Sequence, residues 1–231
     1  MNIAAKLSEF ELVGRGLYTV AEACQMTGIP TATFRRWVFG YVRRRNAERV
    51  EYRPISPPEI GRIEGHLVVG FRDLLEVRIV HAFRMAGVSW HVIRLAAANA
   101  SRPGRTHPFL SERFRTDGRT IFLESFREAG EERLVDLARN QHAFHRVIAP
   151  SLRDVLFEGD EPRAWYPLWP RKMVVVDPTR SFGRPIAGGV PTDILAQSAA
   201  RETSLDVVAR WYEVPLEAVR AAVDWQERLA A

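Results

Sequence analysis

The stretch TVAEACQMTGIPTATFRRWV, residues 19 to 38, orders its caps, apolar positions and breakers so tightly that few local folds satisfy it. Thr19 stands three residues before Glu22, the reciprocal arrangement that closes the first turn of a helix, and a helix is predicted from Val20 to about Thr27. Gly28 follows, able to take the left-handed conformation of a sharp corner; after Ile29 and Pro30, Thr31 is expected to cap a second helix through ATFRRWVFG. Ala23, Cys24, Ile29, Phe34 and Trp37 then fall where two steeply crossed helices touch, which is helix-turn-helix spacing. Thr33, Arg35 and Arg36 project away from that contact, toward a major groove or its phosphates. An ordinary helical hairpin with a solvated charged face has the same spacing.

Charge placement bears on the choice. Within residues 34 to 53, seven arginines stand against Glu48 and Glu51, an excess equal to the net charge of +5 on all 231 residues. The remainder balances near zero, and such local concentration is the footprint of a protein that meets a polyanion. Only Lys6 and Lys172 are lysines, and guanidinium forks suit both phosphate and guanine edges, although a biased genome composition produces the same preference.

The 46% hydrophobic content is enough for one large core or two small ones. No run of apolar residues has membrane-spanning length, and MNIAAKLSEFELVG lacks the features of a secretory leader, so a cytoplasmic location without membrane association is expected. The single cysteine, Cys24, excludes an internal disulfide and leaves no thiolate set for structural zinc; at a helix crossing it reads as a buried, inert thiol.

Downstream, YRPISPPEIGRIEGHLVVGF reads as a Pro- and Gly-punctuated wing between short extended pieces. Two helices follow: Leu75, Ile79, Ala82, Phe83 and Ala86 recur at helical spacing up to Gly87, and Ser89 can cap a partner carrying Val92, Ile93 and Ala96 inward. This bounds a first domain at residues 1–100. Residues 101–160 are predicted to hold a β-hairpin turning at Asp117-Gly118, flanked by Phe114, Ile121 and Leu123, then a helix from Glu131 to Ile148 stopped by Pro150. A short helix beginning at Ser151 is expected to end before Gly159.

Residues 161–231 open with Trp165, Tyr166 and Trp169, aromatics suited either to anchoring a partner or to interdomain packing. A strand at Met173–Val176 ends at Asp177-Pro178, and a glycine-rich loop leads into a helix that Thr192 is expected to cap. The loop lacks the lysine and hydroxyl residue of a phosphate cradle. A shift of 185 residues lays Thr19 on Ser204, Cys24 on Ala209, Gly28 on Glu213, Ile29 on Val214, Pro30 on Pro215 and Phe34 on Val219. The helix-turn-helix pattern therefore recurs, but Glu217 and Asp224 make the second copy unsuited to phosphate, and it is expected to pack on protein.

The order of helix-turn-helix, wing and GFRDLLEVRIVHAFRMAGVSWHVIR resembles the winged-helix module of MerR-type regulators, without their long dimerising helix. The resemblance implies contact of DNA by Thr31, Thr33, Arg35, Arg36, Arg43, Arg44 and Arg45. DPTRSFGRPIAGGVPTDIL and LDVVARWYEVPLEAVRAAVDW, together with His107–Phe109 and Thr116–Gly118, resemble a VapB-type antitoxin family over nearly the whole chain from Tyr18. That resemblance implies binding and inactivation of a PIN-like ribonuclease toxin and repression at the chain's own operator DNA. The toxin's acidic, metal-holding site would meet Arg180, Phe182 and Arg184, with Trp165 and Trp169 as anchors; Arg180 and Arg184 could equally brace the loop against Asp177 or the following helix.

The expected fold class is mainly α: a MerR-like winged helix-turn-helix, a β-hairpin with connecting helices, and a small C-terminal helical domain. His142 and His145 share a helix face but have no further ligand at metal-binding spacing, and no catalytic constellation or cofactor motif is visible. A homodimer or a hetero-oligomer with the toxin is expected. A stand-alone MerR-like regulator, with its C-terminal half serving dimerisation or ligand binding, is the other reading.

Overall fold

A computed structural model describes residues 12–45, 48–131, 149–202 and 204–230. The chain divides into two compact units, one formed by Thr19–Arg153 with Phe157–Pro162, the other by the segment up to Tyr18 with Asp154–Leu156 and Arg163–Ala231. The division falls near residue 153, with a short strand, β1 (Tyr18–Thr19), at one boundary.

In the first unit, α1 (Val20–Thr27) opens on the reciprocal cap: the Thr19 amide donates to Glu22 at 2.8 Å, and the Glu22 amide donates to the Thr19 hydroxyl at 3.2 Å. Gly28 closes it with φ 70°. α2 (Thr31–Phe39) is led in by Pro30, whose carbonyl accepts from the Thr33 and Phe34 amides. The expected Thr31 cap is absent: Thr31 is the first helical residue, Pro30 stands at the cap position, and no side-chain hydrogen bond caps the helix. Ala23, Met26, Ile29, Phe34 and Val38 are buried, which fixes the crossing of the two helices.

Gly40, where a Cβ would lie 2.5 Å from the Tyr52 carbonyl, turns the chain into an antiparallel hairpin of β2 (Tyr41–Arg45) and β3 (Glu48–Tyr52). A second hairpin, β4 (Gly61–Ile63) with β5 (His66–Val69), occupies the segment expected to form a wing; Glu64 and Gly65 at its tip both have positive φ, as a two-residue turn matched to strand twist demands. α3 (Phe71–Met85) and α4 (Trp90–Ala100) follow, the latter capped by Ser89 as read from the sequence.

The predicted hairpin at Asp117-Gly118 is not formed. Residues Glu112–Glu128 make a continuous helix, α5, capped by Ser111, with Phe114, Gly118, Ile121, Phe122, Ser125 and Phe126 on its buried face. The turn dipeptide is overridden by a helical period of six positions that packs on α4, with Phe83, Phe109, Phe114 and Phe122 in ring contact. The expected Glu131–Ile148 helix lies outside the described residues apart from Glu131.

Pro150 lies within a short helix, α6 (Ala149–Arg153), and the segment expected to continue helically to Gly159 is a strand, β6 (Val155–Glu158), paired with β7 (Glu161–Trp165). The tip of this hairpin belongs to the first unit, where the Glu112 amide donates to Asp160 at 2.6 Å and Arg105 pairs with Glu161 at 3.1 Å.

The second unit is built on a small antiparallel sheet, β8 (Val174–Val175), β9 (Ile186–Ala187) and β10 (Val190–Pro191), in the order β10-β9-β8. Against it lie α7 (Thr192–Ala199) and α9 (Leu216–Ala230), with α8 (Leu205–Trp211) between them in sequence. Thr192 does not cap α7: it is buried, and its hydroxyl accepts from Gln226 at 2.8 Å, while Pro191 leads the helix in. Leu195, Val208, Val219, Ala222 and Trp225 form the core. The repeated pattern folds as two helices joined by a short turn, with Glu213 in that turn holding φ 53° where Gly28 holds φ 70° in the first copy.

Candidate nucleic-acid interface

Recognition by the first helix pair depends on which side chains α2 leaves in solvent. Arg35 and Arg36 are exposed, Thr33 is half-buried, and Thr31 is exposed at the helix start. The two arginines are not equivalent. The Arg36 Nε donates to the Ala32 carbonyl at 3.0 Å, and its guanidinium lies 5.9 Å from the centre of the Tyr41 ring, so it folds along the helix; Arg35 has neither contact. Trp37, on the same helix, meets Trp90 of α4 edge-on at 5.4 Å, which pins α2 to the helix pair behind it. Cys24 is half-buried, and burial raises its thiol pKa, partly offset by the nearby Thr31 side chain.

The β2–β3 hairpin displays Arg43 and Arg44 in solvent, while the Arg45 side chain lies outside the described residues. Strand register sets Arg44 directly opposite Arg49 and Arg43 opposite Val50. Like charges in directly opposed positions destabilise a strand pair, so this hairpin carries a repulsion that an anion would relieve. Arg49 was absent from the residues singled out on the sequence, although it belongs to the same charge cluster. Arg62 is another omission: it is exposed on the wing and its Nη1 donates to the Gly65 carbonyl at 2.8 Å. The Glu-Gly turn two residues later was the available signal.

Beneath the wing lies a buried polar network. Asp73, at the start of α3, accepts from the Gly70 amide at 2.9 Å, from the Glu59 amide at 3.1 Å, and contacts His107 Nε2 at 2.8 Å. His107 is 1% exposed and left-handed, and the Ser56 hydroxyl accepts from its amide at 3.2 Å. Burial pushes its pKa down, but the Asp73 hydrogen bond and the charges of Glu76, Asp73 and Glu59 outweigh that, and the net direction is up. Burial raises Glu76, and burial together with Asp73 raises Glu59. The network ties the loop before the wing to the first turn of α3 and so fixes the wing's root.

In the second unit, the residues expected to meet a partner separate clearly. Phe182 is 69% exposed, and Ser181, Phe182 and Gly183 all have positive φ. This strained loop is clamped from below: the Leu17 amide donates to the Phe182 carbonyl at 3.1 Å, and the Tyr18 hydroxyl to the Gly183 carbonyl at 2.9 Å. Arg180 is exposed; Arg184 is exposed too but pairs with Asp193 in the first turn of α7, which is the bracing contact. Trp169 is 45% exposed with the Lys172 ammonium 5.1 Å from its ring centre. Trp165 is 3% exposed, its Nε1 donating to Asp154 at 2.9 Å and its ring edge-on to Trp225, so it is core and offers no surface. Trp211, 64% exposed on α8, was not singled out beforehand.

Among the described residues no helix is long and apolar enough to cross a membrane. The family described as "Putative DNA-binding HTH domain" matches residues 16–97, a span that holds α1, α2, both hairpins, α3 and most of α4. Over 222 residues the chain is 29% identical to a Mycobacterium tuberculosis protein described as "Putative antitoxin VapB45", covering 90% of this chain and 92% of that one. The crystal structure of Rv2018 from Mycobacterium tuberculosis aligns with a TM-score of 0.67 at 22% identity, over 89% of this chain and 96% of that one, and so shares its fold.

Proposed function

We propose that this chain is a DNA-binding antitoxin of the VapB type, acting in the cytoplasm. Its MerR-like winged helix-turn-helix grips operator DNA through α2, the β2–β3 arginines and the wing, and its C-terminal unit binds and inactivates a PIN-like ribonuclease. No catalytic role is assigned to it. The DNA half of this reading is supported by the helix-turn-helix match over residues 16–97 and by the arginines exposed within that span. The antitoxin half rests on the similarity to the protein described as an antitoxin, and on one observation above others: the ring of Phe182, 69% exposed on a strained and clamped loop beside Arg180. An apolar ring held out on a preordered loop is the arrangement of an interface anchor, and an adjacent guanidinium suits an acidic metal-holding site. Trp169 is exposed and available to a partner, Trp165 is buried and is not, and Arg184 acts by holding the loop to α7.

Co-expression with the PIN-like ribonuclease from the adjacent reading frame tests it. The complex should co-purify, as a hetero-oligomer of two or more chains, and growth arrest by the ribonuclease should be relieved. Phe182→Ala should weaken the complex by roughly 30-fold, the effect of a hot-spot ring. Failure to co-purify together with unrelieved arrest would overturn the antitoxin reading.

A further inference from the structure

The first unit contains a groove of about 450 Å³ between α2, the base of the β2–β3 hairpin and α4. That is within the size range of small-ligand sites. Four arginines, Arg36, Arg53, Arg84 and Arg94, line it, with His91 beside them and no aspartate or glutamate. None of the four is ion-paired among the described residues. Three are oriented by backbone carbonyls: Arg36 on Ala32, Arg84 on Val88, and Arg94 on Arg53 at 2.7 Å. Each guanidinium carries five N–H donors, so one anchoring bond leaves most of the fork for an incoming oxyanion.

The other component is aromatic. Tyr41 and Tyr52 stack at 4.5 Å with planes 6° apart, and both remain over a third exposed at 39% and 38%. Trp37 and Trp90 line the same space, and Arg84 and Arg94 lie 5.9 and 5.8 Å from the Trp90 ring centre. A ligand complementary to this lining is anionic at one end and flat at the other. Guanidinium clusters hold phosphate, and parallel rings accept a base without regard to its identity.

We propose that this groove is a nucleotide-binding site, taking one phosphate on the arginines and one unstacked base on the tyrosine and tryptophan rings. The nucleotide comes either free or from a nucleic-acid strand that leaves a base unpaired. Because Arg36 belongs both to α2 and to the groove, an occupant competes for a side chain of the DNA-facing helix.

The test is a calorimetric titration of the full chain with adenosine monophosphate, adenosine, ribose 5-phosphate and a short single-stranded oligodeoxyadenylate. Adenosine monophosphate should bind with a Kd of about 100 µM, and the two fragments roughly tenfold or more weaker, since each keeps only one of the two contacts. Arg94→Glu, at an exposed position, should abolish binding, and Tyr52→Ala should weaken the monophosphate but leave ribose 5-phosphate unchanged. Should only the oligonucleotide bind, and be lost in Arg94→Glu, the groove takes its nucleotide from a strand. No binding by either nucleotide source, or binding that is indifferent to Arg94→Glu, would overturn the proposal. The DNA-binding proposal is separable, because an Arg35→Ala variant alters duplex affinity without touching the groove.

Discussion

Arg44 and Arg49 stand directly across from one another on the paired strands β2 and β3, two like charges at a position where opposite charges or apolar pairs would be favoured. Free in solution the pair costs the hairpin a few tenths of a kcal/mol; beside phosphate it becomes an asset. The double variant Arg44→Ala/Arg49→Ala is therefore expected to be slightly more stable than the parent while binding operator DNA more weakly. The slope of log affinity against log salt should fall by roughly 1.8, two phosphate contacts at about 0.9 each. Anisotropy titrations across a salt series measure it, and an unchanged slope would place both residues away from the duplex.

Arg35 and Arg36 are neighbours with different surroundings, and alanine at each should distinguish them. Among the described residues Arg35 has no side-chain hydrogen bond or ion pair, whereas Arg36 lies along α2 beside the Tyr41 ring. Arg35→Ala is expected to cost about 1–3 kcal/mol of operator affinity if it reads a base edge, and Arg36→Ala less. Equal losses from the two, in the same anisotropy assay, would contradict the asymmetry of their contacts.

The local devices were legible in the sequence because each is decided by a few adjacent residues. The Thr19–Glu22 cap, the Gly28 corner, the Ser89 cap and the short β4–β5 hairpin all follow from contacts three or four positions away. The repeat was legible too, since Ser204 caps α8 and Glu213 bends the chain where Gly28 does in the first copy. Distant contacts caused the misreadings. Asp117-Gly118 has the form of a turn, yet Phe114, Ile121, Phe122 and Phe126 gain more by packing as one helix face. Thr31 and Thr192 look like caps, but each is the first residue of its helix behind a proline at the cap position, and the Thr192 hydroxyl is taken by Gln226. Trp165 reads as an anchor until Asp154 and Trp225 enclose it, and the Arg44–Arg49 opposition depends on a register that charge counting does not reveal.

The aromatic cluster that replaced the predicted hairpin should dominate the stability of the first unit. Phe83 is fully buried and its ring contacts Phe109, Phe114 and Phe122, at centroid distances of 5.2, 6.1 and 4.4 Å. Phe83→Ala is expected to lower the unfolding free energy by about 3–5 kcal/mol, combining lost transfer energy with the cavity left behind. Urea denaturation followed by far-ultraviolet circular dichroism measures this. A loss below about 1 kcal/mol would mean that the cluster is not packed as described.

The buried network beneath the wing makes a pH prediction. The pKa of His107 is raised, and those of Glu59 and Glu76 are raised above the ordinary carboxylate value of 4.5, so at each of the three the folded state binds protons more tightly than the unfolded chain. Stability must then fall as pH rises: past 4.5 for the carboxylates, and, for the histidine, from its unfolded value of 6.5 up through its higher folded value. The His107 contribution is fully present below 6.5. His107→Gln should be less stable than the parent at pH 6, and the part of the decline above pH 6.5 should disappear from its profile. Denaturation midpoints measured from pH 5 to 9 decide it, and a parent whose stability rises with pH over the neutral range would refute the assignment.

Gly28 and Glu213 occupy equivalent corners, and their backbone conformation is a stability test free of packing effects. A Cβ at Gly28 would meet nothing within 4 Å, so the cost of Gly28→Ala comes from the left-handed φ alone and should be about 1 kcal/mol. Glu213 already bears that strain on an exposed side chain, with φ 53°. Glu213→Gly is therefore expected to stabilise the second unit by about 0.5–1 kcal/mol, the relief of strain exceeding the added freedom of the unfolded chain. Gly188 provides the contrast, since a Cβ there would lie 2.8 Å from Val214 Cγ1, and Gly188→Ala should cost clearly more than Gly28→Ala through collision with the core. Thermal unfolding of the three variants ranks them. A destabilised Glu213→Gly would show that the second corner owes its shape to the glutamate side chain rather than tolerating it.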